Sequence, residues 1–295
     1  MLVNLRDICS IAEQNNMAIA AINVASFESV RAALDVAEQT GHPIIIQHAQ
    51  GHQHLAPLKD IGPTMIALAE RSSALVCVHL DHCEDLSYAV RALDMGFTGV
   101  MFDGSALPYE TNVERSCRMA SLCRDYQAGL ECEIGSMGSR EAGEKDEGGT
   151  VEESGAVYTN PDQAAEFVKV TGLDILACSF GTVHGIYKGE PHLNFDVLSD
   201  IRALAKVPLV MHGGSGVSDE DYARAIDAGI RKINYYTYGA KYAGEAVCAL
   251  ADRRRSAKPG AVVYWHDMTR TAYDTLRDTF EHVVTVFANG ASPMA

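Results

Sequence analysis

Three histidines in this chain stand where a metal ion could be held. His82 closes His79-Leu80-Asp81-His82, His184 lies in Gly181-Thr182-Val183-His184-Gly185, and His212 opens His212-Gly213-Gly214-Ser215-Gly216. Each follows an apolar run of strand length. Three neutral imidazoles brought together would hold zinc and leave its fourth position open, as a catalytic zinc requires. A lone histidine near a strand end is more often a hydrogen-bonded structural residue, and only the coincidence of three overturns that reading. Asp81 adjoins His82. In an extended strand the two side chains point to opposite sides, so a twist at the strand end is needed to bring both to one place. Asp81 reads equally as an acid/base for a substrate hydroxyl and as the cap of the helix that follows. Gly213-Gly214-Ser215-Gly216 and Ile233-Asn234-Tyr235-Tyr236-Thr237 add a second chemistry, because a glycine turn lets backbone N–H groups approach an anion.

What must position these residues is a repeat of strand and helix. Eight apolar runs span residues 18–24, 43–48, 75–82, 99–103, 129–135, 175–181, 208–213 and 231–235. Helical spacing lies between them, as in 28–39 with Val30, Ala33, Leu34 and Ala37 on one face, and in 219–228 with Tyr222, Ala225 and Ile226. Near-continuous apolar strands alternating with amphipathic helices imply a parallel sheet covered by helices. Eight units predict an α/β chain folded as a single (β/α)8 TIM barrel over 1–295. A doubly wound open sheet stays as the alternative, since periodicity cannot show closure. On the barrel, the three histidines fall at the carboxyl ends of strands three, six and seven. The two anion-binding stretches follow strands seven and eight, the usual phosphate site of such barrels. Segments 238–252 and 268–287 read as two closing helices.

Composition narrows the partners. A formal charge of -15 over 295 residues argues against a nucleic-acid or anionic-membrane surface, which clustered Lys and Arg would provide. No apolar run reaches the ~20 residues that cross a bilayer, and the first ten residues carry no secretory signal pattern, so a cytoplasmic protein is expected. Cys77, Cys132 and Cys178 sit within apolar runs and read as reduced core residues. The stretch 136–155 breaks the pattern, being rich in glycine and acidic residues with almost no large apolar side chain. It reads as a solvated insertion or as a mobile lid following the fifth strand.

At this point the motifs match a known family. His79-Leu80-Asp81-His82-Cys83, Gly99-Val100-Met101-Phe102-Asp103-Gly104-Ser105, Glu131-Cys132-Glu133-Ile134-Gly135, His184-Gly185-Ile186-Tyr187-Lys188-Gly189 and His212-Gly213-Gly214-Ser215-Gly216 occur in this order. From about residue 2 to 289 the chain resembles the class II, zinc-dependent ketose-bisphosphate aldolases, which include fructose-bisphosphate and tagatose-bisphosphate aldolases. The resemblance implies one catalytic Zn2+ per subunit on His82, His184 and His212, with Glu133 close to the metal, and it admits a monovalent cation. It implies that Asp81 serves the C4 oxygen as acid/base and that Glu141, in the loop, moves the proton on the dihydroxyacetone-phosphate carbon. Asn23, Gly185, Gly213, Gly214, Ser215, Asn234 and Thr237 match positions that hold that half of the substrate and its phosphate. The implied reaction is reversible cleavage of a phosphorylated ketose to dihydroxyacetone phosphate and an aldehyde, with zinc as the Lewis acid and no Schiff-base lysine. A homodimer or homotetramer is expected.

Departures from the family pattern bear on the distal end of the substrate. Gln47-His48-Ala49-Gln50-Gly51 lacks the serine that many relatives carry after strand two, and Tyr236 replaces a residue that is often acidic or small. For the arginine that binds a distal phosphate, Arg270 is the nearest candidate, while the gap-free position is His266. A ketose 1,6-bisphosphate such as fructose or tagatose 1,6-bisphosphate is the first expectation. A ketose 1-phosphate with an uncharged or carboxylate distal end is the second. Two other readings stand beside these: a different zinc enzyme on the same barrel, since fold alone does not set function, and a barrel that binds a sugar phosphate without catalysis. Asp81, Glu141 and all three histidines speak against the latter, because a non-catalytic binder needs no acid/base.

Overall fold

The structure is a computed structural model that describes residues 1–135, 158–187, 189, 191–258 and 260–294; the expected lid at 136–155, and Glu141 with it, lie outside them. Eight parallel strands, β1 (Ile19–Asn23), β2 (Ile44–Ala49), β3 (Val76–Cys83), β4 (Gly99–Phe102), β5 (Gly129–Ile134), β6 (Ile175–Cys178), β7 (Leu209–Met211) and β8 (Ile230–Tyr235), each pair with the next. β8 pairs back with β1, Ala20 standing opposite Ile233. The sheet is closed, which excludes the open-sheet alternative and makes the fold a (β/α)8 barrel. The strands fall on the eight apolar runs, with ends displaced by up to three residues where the loops peel away.

Helices α2 (Phe27–Thr40), α3 (Leu58–Arg71), α4 (Leu86–Asp94), α5 (Tyr109–Asp125), α6 (Pro161–Thr171), α7 (Phe195–Ala205) and α8 (Asp219–Asp227) lie between consecutive strands. Alternate strand residues divide into two apolar cores. Ala20, Ile22, Ile44, Ile46, Val76 and Val78 face outward into one core with the helices. Ile19, Ala21, Ile45, Cys77, Met101 and Val210 face inward into the other. The inner core is closed from below by α1 (Leu5–Gln14), which contributes Leu5, Ile8, Cys9 and Ala12. Asn4 caps α1, its side chain accepting from the Asp7 amide at 2.9 Å. Glycine admits this plug: a Cβ on Gly99 would stand 2.9 Å from Leu5 Cβ, and one on Gly129 would stand 2.7 Å from it.

The C-terminal helices are longer than the periodicity predicts, α9 covering Thr237–Ala257 and α10 Trp265–Phe287. α10 buries Leu276, Phe280, Val283, Val284 and Phe287, whereas α9 buries only Gly239 and Ala243. Cys77, Cys132 and Cys178 are buried free thiols, as expected. Among the described residues no helix is long and apolar enough to cross a membrane.

Leu5 has no exposed surface. Leu5→Ala is expected to lower the unfolding free energy by about 2–5 kcal/mol, the range for a cavity opened in a packed core. Leu86→Ala, on the solvent side of α4, should stay within about 0.5 kcal/mol of the parent. Guanidinium unfolding midpoints of the two variants check the comparison.

Candidate active site

Above the apolar floor the barrel interior turns polar. His79, Glu131 and Lys232 have no exposed surface. Glu131 Oε2 stands 2.8 Å from Lys232 Nζ and 3.3 Å from His79 Nε2, while its Oε1 lies 2.7 Å from His212 Nε2. Burial works to raise this carboxyl; Lys232 and the two histidines outweigh it and hold it well below the ordinary range. Lys232 Nζ also donates to Asn234 Oδ1 at 2.7 Å, so the buried cation ties β5 to β8.

The next level holds Asp81 and His82, and both face the interior. His82 has φ +46°, left-handed backbone that a side-chain-bearing residue seldom adopts, and the β3–β4 register shifts between Leu80 and Cys83. This local turn is the twist that adjacent residues need to share one side. Asp81 Oδ2 accepts from Asn23 Nδ2 at 2.9 Å and Oδ1 from Asn234 Nδ2 at 3.2 Å. Gln47 Nε2 in turn donates to Asn23 Oδ1 at 2.8 Å. Burial works to raise the Asp81 carboxyl, and His82, Lys232 and His212 outweigh it, leaving it well below the usual carboxylate range. The helix-cap reading of Asp81 falls away, because α4 is capped by Asp85, which accepts from the Ser87 amide at 2.9 Å.

The three candidate ligands converge. Ring centroids are 5.1 Å apart for His82 and His184, 4.6 Å for His82 and His212, and 5.7 Å for His184 and His212. One nitrogen from each lies within 4.8 Å of the others. Carboxylates fix two of the rings: Asp103 Oδ2 is 2.9 Å from His82 Nδ1, and Glu131 is on His212 Nε2. Each carboxylate claims the N–H of the nitrogen it faces, which leaves His82 Nε2 and His212 Nδ1 as lone pairs only 2.9 Å apart. Two lone pairs at that distance require a cation or a shared proton. Burial works to lower His82, yet Asp81, Asp103 and Glu133 drive it up to about 10. Burial takes His212 down to about 4.

Glu133 completes the demand for a positive charge. With His82 and Asp103 it forms a second set whose donor atoms lie within 4.8 Å of one another. Its Oε2 is buried without a hydrogen-bond partner among the described residues, and burial, reinforced by Asp103, pushes the carboxyl up to about 8. Nitrogen donors with an orphaned carboxylate beside them fit a zinc ion.

The turn 213–216 and Asn234 border this cluster, Asn234 Nδ2 standing 3.3 Å from His212 Nδ1. Ser215 is buried, and its hydroxyl accepts from the Tyr236 amide at 3.1 Å. Gly185 and Gly213 take left-handed backbone at φ +97° and +62°. Thr237 is the first residue of α9. Arg270 is not brought to the cluster by any contact in the described residues: it is 67% exposed on α10 and pairs with Asp274 of the same helix. His266 is 78% exposed and stacks on Tyr264. His48 and His52 are buried, His48 within β2, where its Nε2 is 2.9 Å from the Tyr88 hydroxyl. Sequence reading missed Glu131, Lys232, His79 and the orienting part of Asp103. The signal was present as two-residue alternation, Glu131 with Glu133, Lys232 with Asn234 and His79 with Asp81, which puts each pair on one face of its strand.

The profile of the family described as fructose-bisphosphate aldolase class-II matches residues 3–290. The chain belongs to that family. This aldolase is therefore a lyase, and class II aldolases generally depend on zinc. It is 39% identical over 226 residues to a sulfofructosephosphate aldolase of Alkalicoccus urumqiensis, covering 77% of each chain. Over 240 residues it is 35% identical to YdjI of Escherichia coli (strain K12), covering 80% of this chain and 83% of that one. The crystal structure of the YdjI aldolase superposes with a TM-score of 0.83 at 30% identity, over 99% of this chain and 98% of that one. A putative fructose-1,6-biphosphate aldolase from Coccidioides immitis gives 0.80 at 26% identity, over 97% of each.

Removing the lysine charge beside Glu131 leaves a buried carboxylate without its strongest partner. Lys232→Met is expected to lower the aldolase's unfolding free energy by about 3–5 kcal/mol. Lys241→Met, whose pair with Glu245 lies on the surface, should leave the urea midpoint unchanged within error.

Proposed function

We propose that this aldolase reversibly cleaves a ketose phosphorylated at C1 into dihydroxyacetone phosphate and an aldehyde, using one zinc ion per subunit. The observation that carries the reading is the three-histidine cluster, closed to within 4.8 Å, with Asp81 on the same strand end. His82, His184 and His212 would hold the ion, with Glu133 beside it. Zinc there would act as a Lewis acid on the ketone end of the substrate, easing the negative charge that builds as the carbon–carbon bond breaks.

The remaining work falls to the chain. Asp81, held ionised and steadied by Asn23 and Asn234, takes the C4 hydroxyl proton during cleavage and returns it in condensation. Glu141 carries the proton to and from the carbon left behind, a role that rests on the family resemblance. Asn23, Gly185, Gly213, Gly214, Ser215, Asn234 and Thr237 receive the dihydroxyacetone phosphate half.

Fructose and tagatose 1,6-bisphosphate are the first candidates. A ketose 1-phosphate with a different distal group is the second, favoured by the turning of Arg270 to Asp274 and by a relative named for a sulfonated fructose phosphate. We further expect a homo-oligomer, because Val262, Tyr264 and Trp265, between and at the start of the last two helices, are 59%, 55% and 76% exposed.

The test is retro-aldol cleavage, read by a coupled dihydroxyacetone phosphate assay on protein of measured zinc content. The panel holds ketose 1-phosphates, 1,6-bisphosphates and a sulfonated fructose phosphate. Product that requires zinc and disappears in His212→Ala is the expected result, with the fastest substrate identifying the distal group. Full turnover after chelation, with zinc below a tenth of the protein by mass spectrometry, would overturn the metal assignment.

A further inference from the structure

The turn after β7 is held from behind by aromatic side chains. The Tyr187 hydroxyl donates to the Gly213 carbonyl at 2.9 Å and accepts from the Val183 amide at 3.0 Å. The Tyr222 hydroxyl donates to the Gly214 carbonyl. Tyr222 belongs to α8, in the helix layer, where its ring packs 4.7 Å from that of Phe287. On the far side of the turn, a Cβ at Gly216 would come within 2.8 Å of the Tyr238 ring.

Peptide planarity converts these contacts into a direction. The bonds are trans, so the N–H of Gly214 points opposite to the carbonyl of Gly213, and the N–H of Ser215 opposite to that of Gly214. With both carbonyls turned back onto the tyrosines, the two N–H groups are turned away from them. Neither N–H meets an acceptor among the described residues. Two adjacent glycines have little intrinsic preference against flipping either peptide, and a flip would present a carbonyl oxygen where an N–H now stands.

We propose that Tyr187 and Tyr222 are positioning residues whose hydroxyls fix the Gly213 and Gly214 carbonyls, so that the amides of Gly214 and Ser215 are preset to receive the phosphate of the substrate. This rests on the reading that the turn takes the ketose phosphate. Burial raises both hydroxyls, Tyr187 to about 12, so both remain donors at any working pH. Their effect is on the order in which energy is spent: the turn is shaped before the anion arrives, and binding does not have to organise it.

The experiment compares zinc-loaded full-length parent, Tyr187→Phe, Tyr222→Phe and Tyr88→Phe by calorimetric titration with inorganic phosphate and with dihydroxyacetone phosphate. Tyr88 is the control, because its buried hydroxyl donates to Gln53 Oε1 at 2.6 Å and does not touch the turn. Phosphate and dihydroxyacetone phosphate should bind about 5- to 10-fold more weakly to Tyr187→Phe and Tyr222→Phe, the loss of one hydrogen bond's net effect, and as tightly as the parent to Tyr88→Phe. In cleavage assays the first two should raise KM for a phosphorylated ketose by a similar factor with little change in kcat. Parent-like phosphate binding in both turn variants overturns the inference while leaving the phosphate site standing. So does equal weakening in Tyr88→Phe, which would mark a general loss of packing. A folded, zinc-loaded parent that binds neither ligand removes the phosphate reading of the turn, and this inference with it.

Discussion

A carboxylate sealed inside the barrel sets much of the interior. Glu131 has no exposed surface, and an isolated buried carboxylate costs several kcal/mol. Lys232, His79 and His212 supply what it needs, and each is then committed. His212 must offer Nε2 to Glu131, so its Nδ1 is the atom that faces His82. Lys232 must reach across the barrel interior from β8 to Glu131 on β5, and its remaining hydrogen-bonding capacity holds Asn234, which holds Asp81. A surface pair such as Arg118 with Glu114 exerts no such control, because water replaces either partner at little cost. The position of Asp81 is thus inherited from a charge one level below it.

The second constraint lies in the backbone at His82. Placing a histidine in left-handed conformation costs roughly 1–2 kcal/mol, offset here by the Asp103 hydrogen bond and by the cluster it joins. Without that turn, strand geometry would send Asp81 and His82 to opposite faces, and the carboxylate and the candidate ligand could not share a site. The β3–β4 pairing resumes beyond the shift, with Cys83 opposite Phe102.

The fold was largely legible because strands buried on both faces read as apolar runs, and because amphipathic spacing separates them. Closure was not legible: nothing in the alternation of Arg231, Lys232 and Ile233 says that this strand meets Ala20. Among site residues, histidines at strand ends announced themselves by position. Glu131 and Lys232 did not, since a charge within an apolar run looks like an interruption until its two-residue partner, Glu133 or Asn234, is counted with it. The turn at His82 had no signature of its own, because no glycine marks it. Glu141 and the stretch around it lie outside the described residues.

The closing of the barrel by β8 also has a bearing on the order of events during synthesis. All three histidines precede β8 in the chain, whereas one partner of each of two buried carboxylates, Lys232 for Glu131 and Asn234 for Asp81, arrives with it. A nascent chain that has released every candidate ligand still lacks the lysine charge at Glu131 and the closing strand on which to seat them. Convergence of the three histidines is thereby tied to barrel closure, and a chain that stops before β8 carries the histidines without the frame that gives them a common direction.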